Sequence, residues 1–165
     1  MAAGISLVPR DRLRQGLIGS LSIQENMLLP TLSRYWHRGK AAASAVRALI
    51  GELDVRPPNP QMLVRELSGG NQQKVIIGKW LNCGPRVLVL DDPTVGIDPV
   101  ARETIFAVLR RRAKDSGLGV VLLSSEPEQL VEHCDRVIAL NGGRAAAEYT
   151  RPDLPYSEIA RWATT

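Results

Sequence analysis

Val87-Leu88-Val89-Leu90-Asp91-Asp92 is the stretch on which the fold turns: four apolar residues in a row, then two carboxylates. An unbroken apolar run of this length reads as a strand buried on both faces, the habit of parallel sheets. Its acidic end then lies at the carboxyl edge of the sheet, where open α/β folds bind ligands. Upstream, Val75, Ile76, Trp80 and Leu81 recur at helical spacing and mark the buried side of a helix that stops near Gly84-Pro85. Downstream, Asp98 caps a helix with Pro99 in its first position; Ile105 and Leu109 line it, and Gly117 ends it. Val120–Ser124 follows as a second buried strand, and Ser125-Glu126-Pro127-Glu128 as a capping box for a short helix. Val137–Leu140 is a third strand, turned back by Asn141-Gly142 in the manner of a type I′ hairpin. Strands alternating with helices place this half of the chain in the α/β class with a parallel sheet.

The amino-terminal half reads differently. Ile5–Val8 is a short apolar run closed by Pro9, and Ser22-Ile23-Gln24-Glu25 is a capping box opening a brief helix up to Pro30. Between Lys40 and Leu53, Ala42, Val46, Leu49, Ile50 and Leu53 keep helical spacing until Pro57-Pro58-Asn59-Pro60 forces a loop. An all-helical segment therefore precedes the sheet-forming half, with expected boundaries near 18–82, 83–150 and a terminal helix over 151–165.

Composition removes several classes of function. With 165 residues and 44% hydrophobic content, the chain fits one ordinary globular domain or a piece of one. Its longest apolar runs fall far below the roughly 18 residues of a membrane span, and no hydrophobic signal region follows Met1, so a cytosolic location is expected. Cys83 and Cys134 lie far apart without metal-type spacing and read as reduced. A net charge of +4 invites a nucleic-acid partner, yet the densest basic run, Arg110-Arg111-Arg112-Ala113-Lys114, falls in the last turns of a helix, where cations complement the dipole. With one Phe, three Tyr and three Trp in 165 residues, no aromatic stacking platform accompanies the basic run, so no nucleic acid is expected.

Two stretches carry chemistry. A buried strand ending in aspartate suits Mg²⁺, because a hard cation takes carboxylate oxygen and keeps its waters; a strand that simply ends in a polar turn has the same appearance. Leu67-Ser68-Gly69-Gly70-Asn71-Gln72-Gln73-Lys74 opens a helix with a serine and two glycines. Its amides and positive dipole end can receive a phosphate, or the serine can serve as a plain cap.

Taken in order and spacing, LSGGNQQK, VLVLDDPT, Gly96-Ile97-Asp98 and a strand ending at Ser124-Ser125 resemble the ATP-binding cassette (ABC) ATPases. The finer likeness is to the second cassette of the duplicated ATPases of monosaccharide importers of the ribose, galactose and xylose type. It covers roughly Gly4 to Tyr149 and includes the opening Gly4-Ile5-Ser6-Leu7-Val8-Pro9-Arg10-Asp11-Arg12. The resemblance implies a P-loop NTPase (RecA-like) fold with a helical signature subdomain. It implies Asp91 as the metal-side carboxylate, Asp92 as the catalytic carboxylate, Ser125 at the switch position and Asp98 in the D-loop. Ser68, Gly69, Gly70, Asn71 and Gln72 would then touch the γ-phosphate side of an ATP held by a second cassette, since cassettes of this family pair head to tail. ATP and Mg²⁺ are the implied cofactors, a permease the implied membrane partner, and the inner face of the cell membrane the implied location; no direct contact with sugar is implied.

Three departures qualify this likeness. The pattern G-x-x-x-x-G-K-[ST] is missing, because the Gly-Lys pairs at Gly39 and Gly78 have Arg34 and Gln73 where the upstream glycine belongs. Asp92 stands where active cassettes carry glutamate, and Arg10 stands where relatives tend to be acidic. The expectation is an incomplete cassette, without the phosphate-loop half, that binds no ATP alone and leaves an apolar gap in its sheet. Two readings remain: part of the ATP-binding subunit of a carbohydrate importer, or a non-catalytic partner that lends its signature to another cassette. A DNA-repair ATPase is a remoter third, disfavoured by the lack of coiled-coil heptads.

Overall fold

The computed structural model describes residues 3–32 and 39–163. Thr164 and Thr165, the end of the expected terminal helix, lie outside the described residues. The chain forms two compact units, Met1–Val121 and Leu122–Thr165.

The first unit begins with β1 (Ile5–Val8), which pairs in parallel with β2 (Val87–Asp91) in the register Ile5↔Val87 to Val8↔Leu90. The third member of this sheet is β3 (Gly119–Leu123), in the order β1-β2-β3. Between β1 and β2 lie α1 (Ile23–Leu28), α2 (Gly39–Glu52) and α3 (Gly69–Leu81); α4 (Pro99–Ser116) connects β2 to β3. The core gathers Val8, Leu88 and Leu90 from the strands with Ile76, Ile77, Ile105 and Leu109 from the helices. At about 1.5–3 kcal/mol for each fully buried large apolar side chain, these residues hold α3 against β1 and α4 against α3.

Cap chemistry placed several helices where the sequence put them. At α1 both halves of the capping box form: Ser22 Oγ accepts from Glu25 N–H at 3.2 Å, and the Glu25 carboxylate accepts from Ser22 N–H at 2.7 Å. At α4 the Asp98 carboxylate accepts from Ala101 N–H at 2.9 Å, and Gly117 closes the helix with φ of 67°, the left-handed region that suits glycine.

Helix α3 is buried more completely than a one-sided pattern predicts. Gln72, Gln73, Lys74, Gly78 and Lys79 are buried along with Val75, Ile76, Ile77 and Leu81, because α1, α2, α4 and β1 surround it. A β-carbon on Gly78 would stand 2.6 Å from Met27 Cε, which explains glycine at that crossing. The two lysines are tolerated because each ammonium reaches a backbone carbonyl, Lys74 that of Asp54 and Lys79 that of Gly16, both at 2.9 Å. Burial pushes both ammonium pKa values down.

The basic run near the end of α4 has a structural use beyond solvation. Arg111 and Arg112 both bind Glu52 at the end of α2, Arg111 at 2.9 Å and Arg112 through Nε at 2.7 Å. The Arg112 guanidinium, against the opposing effect of burial and with help from Arg111, holds the Glu52 carboxyl below the usual glutamate range. A carboxyl that ionises more readily folded than unfolded adds stability above the ordinary glutamate pKa; that stability is lost as pH falls into the depressed range. Glu52→Gln is expected to cost about 1–2 kcal/mol near neutral pH. In urea unfolding, the gap between wild type and variant should narrow at acid pH; a gap independent of pH would contradict the ionic link.

Four expectations need correction. Strand β2 is not evenly buried: Leu88 and Leu90 are fully covered, whereas Val87 and Val89 are half-buried. Strand β3 is largely exposed, with Val120, Val121 and Leu123 at 37%, 48% and 46%, as befits an edge strand. Residues Ile5 and Leu7, in register with Val87 and Val89, are also exposed. Burial depends on what covers a sheet, and on this face little does. The third correction is at Ser125: α5 (Pro127–His133) starts from Glu126 with no side-chain cap, and Ser124 Oγ, not Ser125, accepts from Glu126 N–H at 3.1 Å. Pro127 fills the first helical position, so the helix starts one residue later than the expected box places it.

The fourth lies in the second unit. Strands β4 (Arg136–Asn141) and β5 (Arg144–Thr150) form a separate antiparallel hairpin, with α6 (Tyr156–Ala163) packed on β4 and α5. The turn uses Gly142 and Gly143, with φ of 55° and 75°, one residue later than read, since two positive-φ positions are easiest for glycine. Arg151 clamps the end of α5 by donating to the carbonyls of Val131, Glu132 and Cys134.

Candidate nucleotide-facing site

Ser68 takes the N-cap position of α3 with extended backbone, φ −62° and ψ 157°, but its hydroxyl caps nothing. Instead Oγ accepts from the Asn71 side-chain amide at 3.0 Å, while the Asn71 carbonyl accepts from Arg56 N–H at 2.8 Å. The first turn of a helix has no intrahelical partners for its N–H groups, so this end presents uncapped amides beside an exposed serine. Gln72 behaves differently. It is buried, and its side-chain amide donates to Val64 and Leu67 carbonyls, both at 3.2 Å, so it anchors the approach to α3 from inside.

Close approach accounts for both glycines. A β-carbon at Gly70 would lie 2.8 Å from Asp98 Oδ2 and 2.8 Å from Ala101 Cβ; one at Gly69 would lie 2.8 Å from an Arg12 guanidinium nitrogen and 3.5 Å from the Gly96 carbonyl. The loop Gly96-Ile97-Asp98 therefore sits directly against the start of α3. Asp98, with one oxygen on Ala101 N–H and the other against Gly70, joins the two. Arg12 fastens the same corner by donating Nη1 to the Val95 carbonyl at 3.2 Å. Sequence reading gave Arg12 no part; its only trace was its place in the Arg10-Asp11-Arg12 run, and nothing local pointed to a contact 83 residues away.

The carboxylates occupy a second corner. Asp91 ends β2 and Asp92 follows in the left-handed region, with φ of 41°. The parallel register carries Val8 beside Leu90, so continuing both strands by two residues brings Arg10 opposite Asp92. Arg10 Nη1 lies 3.5 Å from Asp92 Oδ2. The two residues at which the sequence departs from the pattern it is read to resemble thus form an ion pair. Asp91 offers a hard divalent ion a suitable oxygen at the sheet's carboxyl edge, and Mg²⁺ needs only one or two carboxylates beside its waters. Such an ion, when bound, supplies charge neutralisation to nucleotide phosphates. Ser125 belongs to the second compact unit and is exposed.

The chain belongs to the ABC transporter family, whose model matches residues 1–95. It is 39% identical over 166 residues to a ribose/galactose/methyl galactoside import ATP-binding protein of Agrobacterium fabrum described as putative, covering 98% of this chain and 33% of that protein. It is 36% identical over 165 residues to the ribose import ATP-binding protein RbsA of Bacillus licheniformis, covering 98% of this chain and 33% of that protein. The chain thus spans about a third of the length of these curated relatives. Among solved structures, the ATP-binding cassette MJ0796, a dimer in a post-hydrolysis state bound to ADP and Pi, superposes with a TM-score of 0.79 at 24% identity. That match covers 91% of this chain and 64% of the cassette, and it establishes the α/β P-loop NTPase-like fold.

Proposed function

We propose that this chain is part of the ATP-binding subunit of a carbohydrate importer, and that its signature acts on an ATP whose phosphates are gripped by a second cassette. One observation carries the reading: the start of α3 is uncapped, is kept free of side chains at Gly69 and Gly70, and is held by Asp98 and Arg12. Amides at such a helix end can contact a phosphate directly. ATP and Mg²⁺ are then used jointly, Asp91 facing the metal, Asp92 the reacting phosphate, and Ser68, Gly69, Gly70, Asn71 and Asp98 the partner's nucleotide, with Ser125 of the second unit in the switch role the resemblance implies. Gln72 belongs to this set as a positioning residue, since its amide is spent inside the protein. Among the described residues no helix is long and apolar enough to cross a membrane; a permease partner would place the subunit at the cytoplasmic face. The hold of Arg10 on Asp92 favours the second reading, in which the chain lends its signature and hydrolyses nothing itself.

Titration of ATP into the isolated chain at constant Mg²⁺ should show no binding of ATP above background by calorimetry. When the chain is mixed with a cassette containing a G-x-x-x-x-G-K-[ST] loop, ATP should drive a heterodimer. Gly69→Asp, which sets a negative charge among the amides, should weaken that heterodimer at least about tenfold. Micromolar binding of ATP by the chain alone would overturn the proposal.

A further inference from the structure

We propose that Arg10 is a built-in counter-ion that competes with divalent metal for the carboxylates at the end of β2. This rests on the reading of Asp91 and Asp92 given above. The neighbouring strands fix the arrangement: parallel pairing of Val8 with Leu90 sets Arg10 and Asp92 at the same sheet edge, with Nη1 and Oδ2 3.5 Å apart. The Asp92 side chain is 9% exposed and that of Arg10 62%. The carboxylate is therefore the enclosed, positionally fixed member of the pair, and the guanidinium lies on its solvent side.

A guanidinium keeps its charge at every working pH and makes no bond to a metal ion. Held against Asp92, it offsets part of the negative charge that would attract a cation to Asp91. An incoming divalent ion also meets a fixed positive charge one residue from its ligand. Both effects act against the ion's double charge. The exposure of Arg10 allows water and salt to screen them, so the penalty is about tenfold in metal affinity at low ionic strength and smaller in high salt. The charge of Arg10 thus acts on the metal, a handicap separate from the reach of Asp92 toward the attacking water.

The test measures metal directly, without turnover. Mn²⁺ binding to the full 165-residue chain is followed by the electron paramagnetic resonance signal of the free ion at low and high ionic strength. Arg10→Gln should bind Mn²⁺ about tenfold more tightly than wild type, and this gain should shrink with salt. Arg10→Lys, which keeps the charge, should stay near wild type. Adding Asp91→Asn to Arg10→Gln should remove the gain, and matching melting curves separate these effects from misfolding. Equal affinities for wild type and Arg10→Gln, with loss on Asp91→Asn, would overturn the role of Arg10 and leave the carboxylate reading standing. Failure to detect binding that depends on Asp91 in either protein would overturn both.

Discussion

Asp92→Glu, introduced into a complete cassette built around this chain, is expected to raise ATP turnover by on the order of 10²-fold. Aspartate and glutamate carry the same carboxylate and differ by one methylene, so the difference between them is one of reach. On the proposed reading of Asp92 as the carboxylate that orients the attacking water, a side chain one methylene short stands about 1 Å or more from its place, and errors of that size cost about two orders of magnitude. The structure adds a second contribution. Asp92 is drawn toward Arg10 and held by backbone in the left-handed region, so its side chain has little freedom to make up the distance. Pairing the change with Arg10→Gln should raise the rate further than Asp92→Glu alone. Steady-state phosphate release checks both variants. Unchanged turnover in Asp92→Glu would remove the argument from reach, and equal rates for the single and double variants would remove the contribution from Arg10.

The isolated chain is expected to self-associate at tens of micromolar. Residues Ile5 and Leu7 of β1 and Val121 of β3, all in the first unit, are about half exposed, while Val8, Leu88 and Leu90 lie in the core. Contiguous apolar surface and an unpaired strand edge both promote association, the first by area and the second by templating backbone hydrogen bonds. Leu7→Lys with Val121→Lys should shift the chain to the 18.1 kDa monomer in sedimentation and lower its binding of a hydrophobic dye several-fold. Both positions are exposed, so the double variant should melt close to wild type. A wild-type chain that sediments as a monomer and melts sharply and reversibly would contradict this expectation.

What could be read from the sequence was local chemistry. The capping box at Ser22, the Asp98-Pro99 start and the Gly117 stop depend on residues within one helical turn, and all three stand as read. The β2 strand and its acidic end were visible because an apolar run leaves few alternatives. Burial of β3 was misjudged because composition reports what a strand could bury, while exposure depends on elements that cover it. The pairings Arg10–Asp92, Arg12–Val95 and Glu52–Arg112 join residues far apart in the chain. No pattern rule reaches such distances without knowing the register of the strands or the crossing of the helices. Even so, Arg10 and Asp92 each stand out separately in the sequence, and the fold supplies the contact between them.

Glu52 ties the far end of α2 to α4, and Asp98, at the near end of α4, lies against Gly70. A single stiff rod, α4, is thus gripped at both of its extremities by the helical arm. Any rotation that swings the start of α3 must drag the loop Gly96-Ile97-Asp98 along in step, so the two travel as one lever.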